Sequence, residues 1–216
     1  SVSDAQWDAL PNFIGDAKVF PMIDVSGSMH ASATSTVSCM EAALSLGLYV
    51  SEKNTGDFKD MFLTFSSRPE ILSVSGTLSQ RLDQIKRSHW GMSTDLHAAF
   101  ERMLDVAIKG RVSQEDMPDI LLILSDMQFN SCARFDDFAM EMIARKYRDA
   151  GYEMPKIVFW NLRMTNDVAA KFDDKGVALI SGLSPSIMRA VLSNDLEDYT
   201  PMSVMLQAIM NKRYDL

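Results

Sequence analysis

Short, β-rich apolar runs alternate along this chain with longer stretches whose apolar residues recur at helical spacing. That alternation predicts an α/β domain with a largely parallel sheet. Strands are expected over Lys18–Ile23, Asp60–Phe65, Glu70–Val74, Asp119–Leu124, Lys156–Asn161 and Val177–Ile180. Helical patterns fall near Thr34–Ser51, Ser79–Arg87, Asp95–Ile108, Phe135–Ala150, Ser186–Leu192 and Met202–Lys212. The runs Asp119–Leu124 and Lys156–Trp160 are almost wholly hydrophobic, as strands covered on both faces should be. "SRP" at Ser67–Pro69 predicts a turn that makes the third strand short and antiparallel. "NTG" at Asn54–Gly56 is expected to end the first long helix. The expected architecture is therefore a Rossmann-like, doubly wound, mostly parallel sheet of six strands with one short antiparallel member and helices on both faces. Pro21 conflicts with it, because a proline inside a central strand removes a ladder donor. A bulge, or pairing that is complete only after Pro21, would reconcile the two.

The chain divides into an N-terminal extension, 1–17, and a single domain, 18–216, with no internal repeat. Its 216 residues and 47% hydrophobic content suit a well-filled core. No apolar stretch approaches the ~18 residues that read as a membrane span, so no membrane partner is expected. The formal net charge of −8, with basic residues scattered, argues against nucleic-acid binding by this domain alone. Two cysteines, Cys39 and Cys132, are too few for a disulfide framework, so a reducing, cytoplasmic setting is expected. The opening "SVSDAQWDAL" has neither the basic nor the apolar region of a signal peptide and no initiator Met. We therefore expect a segment of a longer or processed polypeptide.

Chemistry concentrates where apolar strands give way to small polar residues. In "FPMIDVSGSMHA", Phe20 to Ala31, the first strand ends in Asp24-Val25-Ser26-Gly27-Ser28. Alternate residues of an extended chain point the same way, so Asp24 and Ser26 share a side, and Gly27 is expected to let the backbone turn and bring Ser28 alongside. The fourth strand ends in "LSDM", placing Asp126 just beyond its last apolar residue. The segment "WGMSTDL", Trp90–Leu96, offers Ser93, Thr94 and Asp95 before a helix. All these groups contribute oxygen and none nitrogen or sulfur. An oxygen-only set suits a hard divalent ion, Mg²⁺ first, with Mn²⁺ or Ca²⁺ as alternatives. Neutral hydroxyl ligands, with the two aspartates holding coordinated water, leave much of the ion's charge unneutralised, so such a site seeks an external anion.

D-x-S-x-S at the end of a first strand, a later Thr loop and a later S-D after a hydrophobic strand resemble the metal-ion-dependent adhesion site of von Willebrand factor A (vWA) domains. The resemblance implies that Ser26, Ser28 and Thr94 ligate the metal while Asp24 and Asp126 act through water. Thr94 is preferred to Ser93 for its spacing from Gly91. Where many A domains place Gly after the last aspartate, this chain has Met127. The stretches Ile143–Asp167 and Phe172–Leu192 are similar to the closing part of the A domain in Ro-type (TROVE) ribonucleoproteins and in related uncharacterised Ro-like proteins. In Ro proteins RNA binds mainly on a separate helical-repeat ring, which has no counterpart in this sequence.

Taken singly, Ser28 or Thr94 reads as a helix cap, and Asp95 as a first-turn acid favoured by the helix dipole. His30, Trp90 and Met127 are expected to form the ligand rim, although His30 also reads as a solvated surface residue and Trp90 as packing. His97 reads as first-turn packing, and Cys132 lacks the paired base or CxxC spacing of redox or nucleophilic work. The functional expectation is a non-enzymatic, metal-dependent module whose ion takes an Asp or Glu carboxylate from a protein partner. One alternative is a scaffold with a vestigial or structural metal site in a ribonucleoprotein particle. Another is a Mg²⁺-dependent phosphoryl-transfer or hydrolytic enzyme, which the lack of a Walker-type loop, a D-x-D pair and a placed base disfavours.

Overall fold

The computed structural model describes residues 2–12, 14–88, 96–126, 137–163, 170–172 and 177–182. In chain order the elements are α1 (Val2–Asp8), β1 (Val19–Ile23), α2 (Cys39–Lys53), β2 (Met61–Thr64), β3 (Ile71–Ser73), α3 (Leu78–Arg87), α4 (Leu96–Gly110), β4 (Ile120–Ser125), α5 (Asp137–Asp149), β5 (Lys156–Asn161), β6 (Ala170–Phe172) and β7 (Val177–Ser181). The strands form one sheet in the order β3-β2-β1-β4-β5-β7-β6. Pairing is parallel from β2 through β7, and β3 and β6 close the two edges antiparallel.

The doubly wound sheet matches expectation, with seven strands instead of six. The added strand, β6, is three residues long, too short for its alternation to register as a pattern. The two helices expected at Ser186–Leu192 and Met202–Lys212 lie outside the described residues. Conversely, α1 was not anticipated. At seven residues it is far below the length at which an isolated helix is stable, and tertiary contacts hold it. Trp7 Nε1 donates to Glu52 on α2 at 2.7 Å, and Asp4 accepts from the amide of Leu78, the first residue of α3.

Strict alternation divides the core. Val19, Ile23, Ile120, Leu122, Leu124, Val158 and Trp160 face α2 and α3, where Leu44, Leu48, Val50 and Ile85 meet them. Phe20, Met22, Leu121, Ile123, Ile157 and Phe159 face α4 and α5, against Phe100, Met103, Ile143 and Tyr147. With both faces covered, the central strands read as continuous apolar runs.

Pro21 proves compatible with this position. Asp24 N–H donates to the Leu124 carbonyl at 2.9 Å, on the β4 side. By the period of two, Pro21 turns its missing donor towards β2. There the ladder begins only at Met22↔Leu63, whereas pairing with β4 runs unbroken from Val19↔Ile120 to Ile23↔Leu124. Helix α2 also starts later than its pattern suggested. Thr34 Oγ1 accepts the Thr36 and Val37 amides and holds a turn, and Ser38 with Glu41 forms a capping box that sets the helix start at Cys39.

Candidate metal centre

The chain leaves β1 towards β2 and β3 on one side of the sheet, then returns to add β4 beside β1 and continues outward on the other. The order therefore reverses between β1 and β4, and ligands of open α/β sheets bind outside the carboxyl ends of the strands at such a point. Asp24 follows the last residue of β1, and Asp126 the last residue of β4. Topology alone brings together two residues 102 positions apart in number.

Asp24 is 1% exposed, because its amide still pairs with β4 and keeps it in the sheet. Its Oδ1 accepts from the Ser26 amide at 2.8 Å and its Oδ2 from Ser125 Oγ at 2.6 Å. The next residues form a 3-10 turn, Gly27–His30, pinned by buried Met29. Ser26 precedes this turn without its side chain capping it. The turn places Ser26 Oγ and Ser28 Oγ 3.1 Å apart, and Ser28 Oγ donates to Asp126 Oδ1 at 2.8 Å. Asp126 is 6% exposed. The two strands thus exchange supports: a serine at the end of β4 holds the aspartate after β1, and a serine in the loop after β1 holds the aspartate after β4.

One local expectation needs correcting. Gly27 is not in the left-handed region, and a Cβ on it would meet open space. The turn brings Ser28 to Asp126 by 3-10 geometry, which any small residue tolerates, and not by glycine's conformational freedom.

The donor set tests well against a hard cation. Two carboxylates lie buried at adjacent strand ends, and among the described residues neither forms an ion pair with Lys, Arg or His. Buried charges are ordinarily paired or engaged with metal. Ser28 spends its proton on Asp126, so it accepts from Ser26 in their 3.1 Å contact and keeps one lone pair open for a cation. Among the described residues no three His, Cys, Asp or Glu side chains gather into a ligand cluster, so the donors available here are hydroxyls and two carboxylates.

Asp24, Ser26, Ser28 and Asp126 are therefore brought together. Thr94, Trp90 and Met127, with Ser93, Asp95 and Cys132, lie outside the described residues. His30 closes the 3-10 turn and is exposed. His97 sits on α4 with its Nδ1 3.7 Å from Glu101, one turn along the same helix.

Sequence reasoning missed two neighbours of the site. Cys39, fully buried as the first residue of α2, donates its amide to the Ala31 carbonyl at 2.8 Å. Burial, and then the Asp126 carboxylate, push its thiol above the usual cysteine range, with Arg163 opposing. Nothing in its spacing announced this. Ser125 did carry a signal, since it ends an otherwise apolar strand, "ILLILS". Asn161 and Ser181 end β5 and β7 in the same way and stand in register with it.

The model of a family described as Domain of unknown function (DUF7788) matches residues 19–212. The chain is also 31% identical over 214 residues to the uncharacterized protein L728 of Acanthamoeba polyphaga mimivirus, spanning 95% of this chain and 36% of that protein. Among solved structures, the Ro (RSR) protein of Deinococcus radiodurans is similar with a TM-score of 0.53 and 17% identity, over 86% of this chain and 36% of that one. That likeness is one of fold, and the fold is vWA-like. The chain spans little more than a third of the length of each of these relatives.

Proposed function

We propose that this chain, which belongs to the DUF7788 family, is a non-enzymatic protein-binding module that works through a divalent ion. Asp24, Ser26, Ser28 and Asp126 would hold the ion, Mg²⁺ first and Mn²⁺ or Ca²⁺ in its place, with Thr94 joining from the sequence pattern alone. When bound, the ion supplies a Lewis-acidic position for an Asp or Glu carboxylate of a partner protein. The observation that carries this reading is the pair of buried carboxylates, without an ion pair among the described residues, bracketing two hydroxyls at the switch point of the sheet.

Each residue has a stated part. Ser26 and Ser28 offer neutral oxygen, Asp126 orients the Ser28 hydroxyl, and Asp24 ties the turn to the sheet through the Ser26 amide. Neutral direct ligands leave positive charge for an incoming anion, which is how an acidic domain could attract an acidic partner: the local field, not the net charge of −8, decides. No general base or activated nucleophile accompanies these groups among the described residues, which is why binding is preferred to catalysis. A role within a larger, Ro-like polypeptide accords with the partial coverage of the relatives.

Calorimetric titration of the domain with Mg²⁺ and with Mn²⁺, beside a Ser26→Ala, Ser28→Ala variant, tests the proposal. Saturable binding that the variant loses supports it. Identical heats for the two proteins would remove the hydroxyls from the site, and no binding by either would favour a scaffold.

A further inference from the structure

Ser125, Asn161 and Ser181 occupy one register row across β4, β5 and β7, and Asp24 continues that row on β1, since Ile23 pairs with Leu124 one step before. All four residues are buried although all are polar. Within the row, Ser125 alone has its hydroxyl proton directed at Asp24. The bond to Oδ2 is 2.6 Å, within the short range of charge-assisted O–H···O⁻ bonds. The other oxygen of the same carboxylate is held by the Ser26 amide at 2.8 Å. A carboxylate with one fixed donor can still rotate about its terminal torsion, which is broad and two-fold. With a fixed donor on each oxygen it cannot.

We propose that Ser125 is a positioning residue of the metal site, locking the Asp24 carboxylate from β4 so that its remaining lone pairs face the cation and its water. The proposal rests on the metal-binding reading above and extends it to a residue that contributes no ligand. Two physical consequences make the hydroxyl matter. Among the described residues the side chain of Asp24 has two hydrogen bonds, from Ser26 and Ser125, with which to offset its desolvation at 1% exposure, so losing one leaves a buried charge less well compensated. The lock also couples the strands in the opposite sense to the Ser28–Asp126 bond, so the two aspartates are set against each other before any ion arrives. Supporting partners of ligand residues typically carry a large share of metal affinity.

The test is Mg²⁺ calorimetry on wild type, Ser125→Ala, Ser125→Thr and Ser181→Ala, with the melting temperature of each taken in chelator. Ser181→Ala removes a buried hydroxyl of the same row on β7, three strands away from β1 and Asp24. The expected result is ~10-fold weaker Mg²⁺ binding in Ser125→Ala, near-wild-type affinity in Ser125→Thr, and no change in Ser181→Ala. Should Ser125→Ala not fold, Ser125→Cys replaces it, keeping the volume with a much weaker donor, and the same loss is expected. Wild-type affinity in Ser125→Ala or its substitute, equal losses in the Ala and Thr variants, or an equal loss in Ser181→Ala would each overturn the positioning role while leaving the metal site standing. Absence of Mg²⁺ binding by the wild type would overturn both.

Discussion

Ser28 and Asp126 are separated by 98 positions along the chain, yet the serine hydroxyl donates to the carboxylate across 2.8 Å. The bond joins the loop after β1 to the end of β4 and sets a candidate ligand against a candidate charge. Asp126→Asn keeps an acceptor for Ser28 but removes the charge. We expect Mg²⁺ affinity to fall ~10-fold or more. In chelator the melting temperature should hold or rise, because one of two buried charges that lack an ion pair among the described residues is gone. Calorimetry and a melting curve read the two effects separately. A variant that binds Mg²⁺ like wild type would show that the charge of Asp126 is not used.

Helix α2 crosses the sheet so closely at Gly47 that a Cβ there would lie 2.6 Å from Ile23 Cγ1. Ile23 is fully buried and immediately precedes Asp24. At an exposed helical site Gly→Ala would stabilise by about 1 kcal/mol, but overpacking a filled core costs about 1–3 kcal/mol. The steric cost is the larger. Gly47→Ala should therefore lower the denaturation midpoint, and by displacing the end of β1 it should also weaken Mg²⁺ binding. A gain in stability would mean that Ile23 has room to move aside.

The N-terminal segment is part of the packed structure. Besides its bond to Glu52, Trp7 meets Tyr49 edge-on at 6.4 Å, Tyr49 reaches the Pro11 carbonyl, and Arg81 of α3 pairs with the same Glu52 carboxylate. Trp7 is only half-buried, so Trp7→Ala should cost about 2 kcal/mol, less than the ~3–5 kcal/mol of a fully buried tryptophan. For a domain of this size that lowers the melting temperature by roughly 4–8 °C. Metal affinity, read at the far end of α2, should not change.

Tyr147 is fully buried and its hydroxyl donates to the Phe100 carbonyl at 2.9 Å. Burial pushes its phenol well above the usual tyrosine value. Because the folded state resists ionisation, the unfolded state binds fewer protons once pH exceeds its own tyrosine value of about 10. Stability is thus fully present below that pH and is lost as pH rises beyond it. In an alkaline absorbance titration Tyr147 should ionise only as the fold is lost, and Tyr147→Phe should remove that late step at a cost of about 1 kcal/mol.

The oxygen-only chemistry of "DVSGS" and "SDM" could be read along the chain because it depends on residue type at strand ends. So could the parallel sheet, since buried strands must be apolar on both faces and the apolar runs of β1, β4 and β5 are. The helix start at Cys39 was legible too in principle, through Ser38 and Glu41, but the helical periodicity extends upstream and masked it.

Other features exist only through tertiary structure. A seven-residue helix such as α1 has too few internal hydrogen bonds to form without Glu52, Tyr49 and Leu78 to dock on. The tolerance of Pro21 depends on which neighbour its missing donor faces, and that is a property of strand order. The reciprocal hold of Ser125 on Asp24 and Ser28 on Asp126 requires β1 and β4 to be neighbours, and local propensity is blind to pairs 98 and 101 residues apart. The chain carries the chemistry in its residue types, while the order of strands in the sheet decides which of those residues meet.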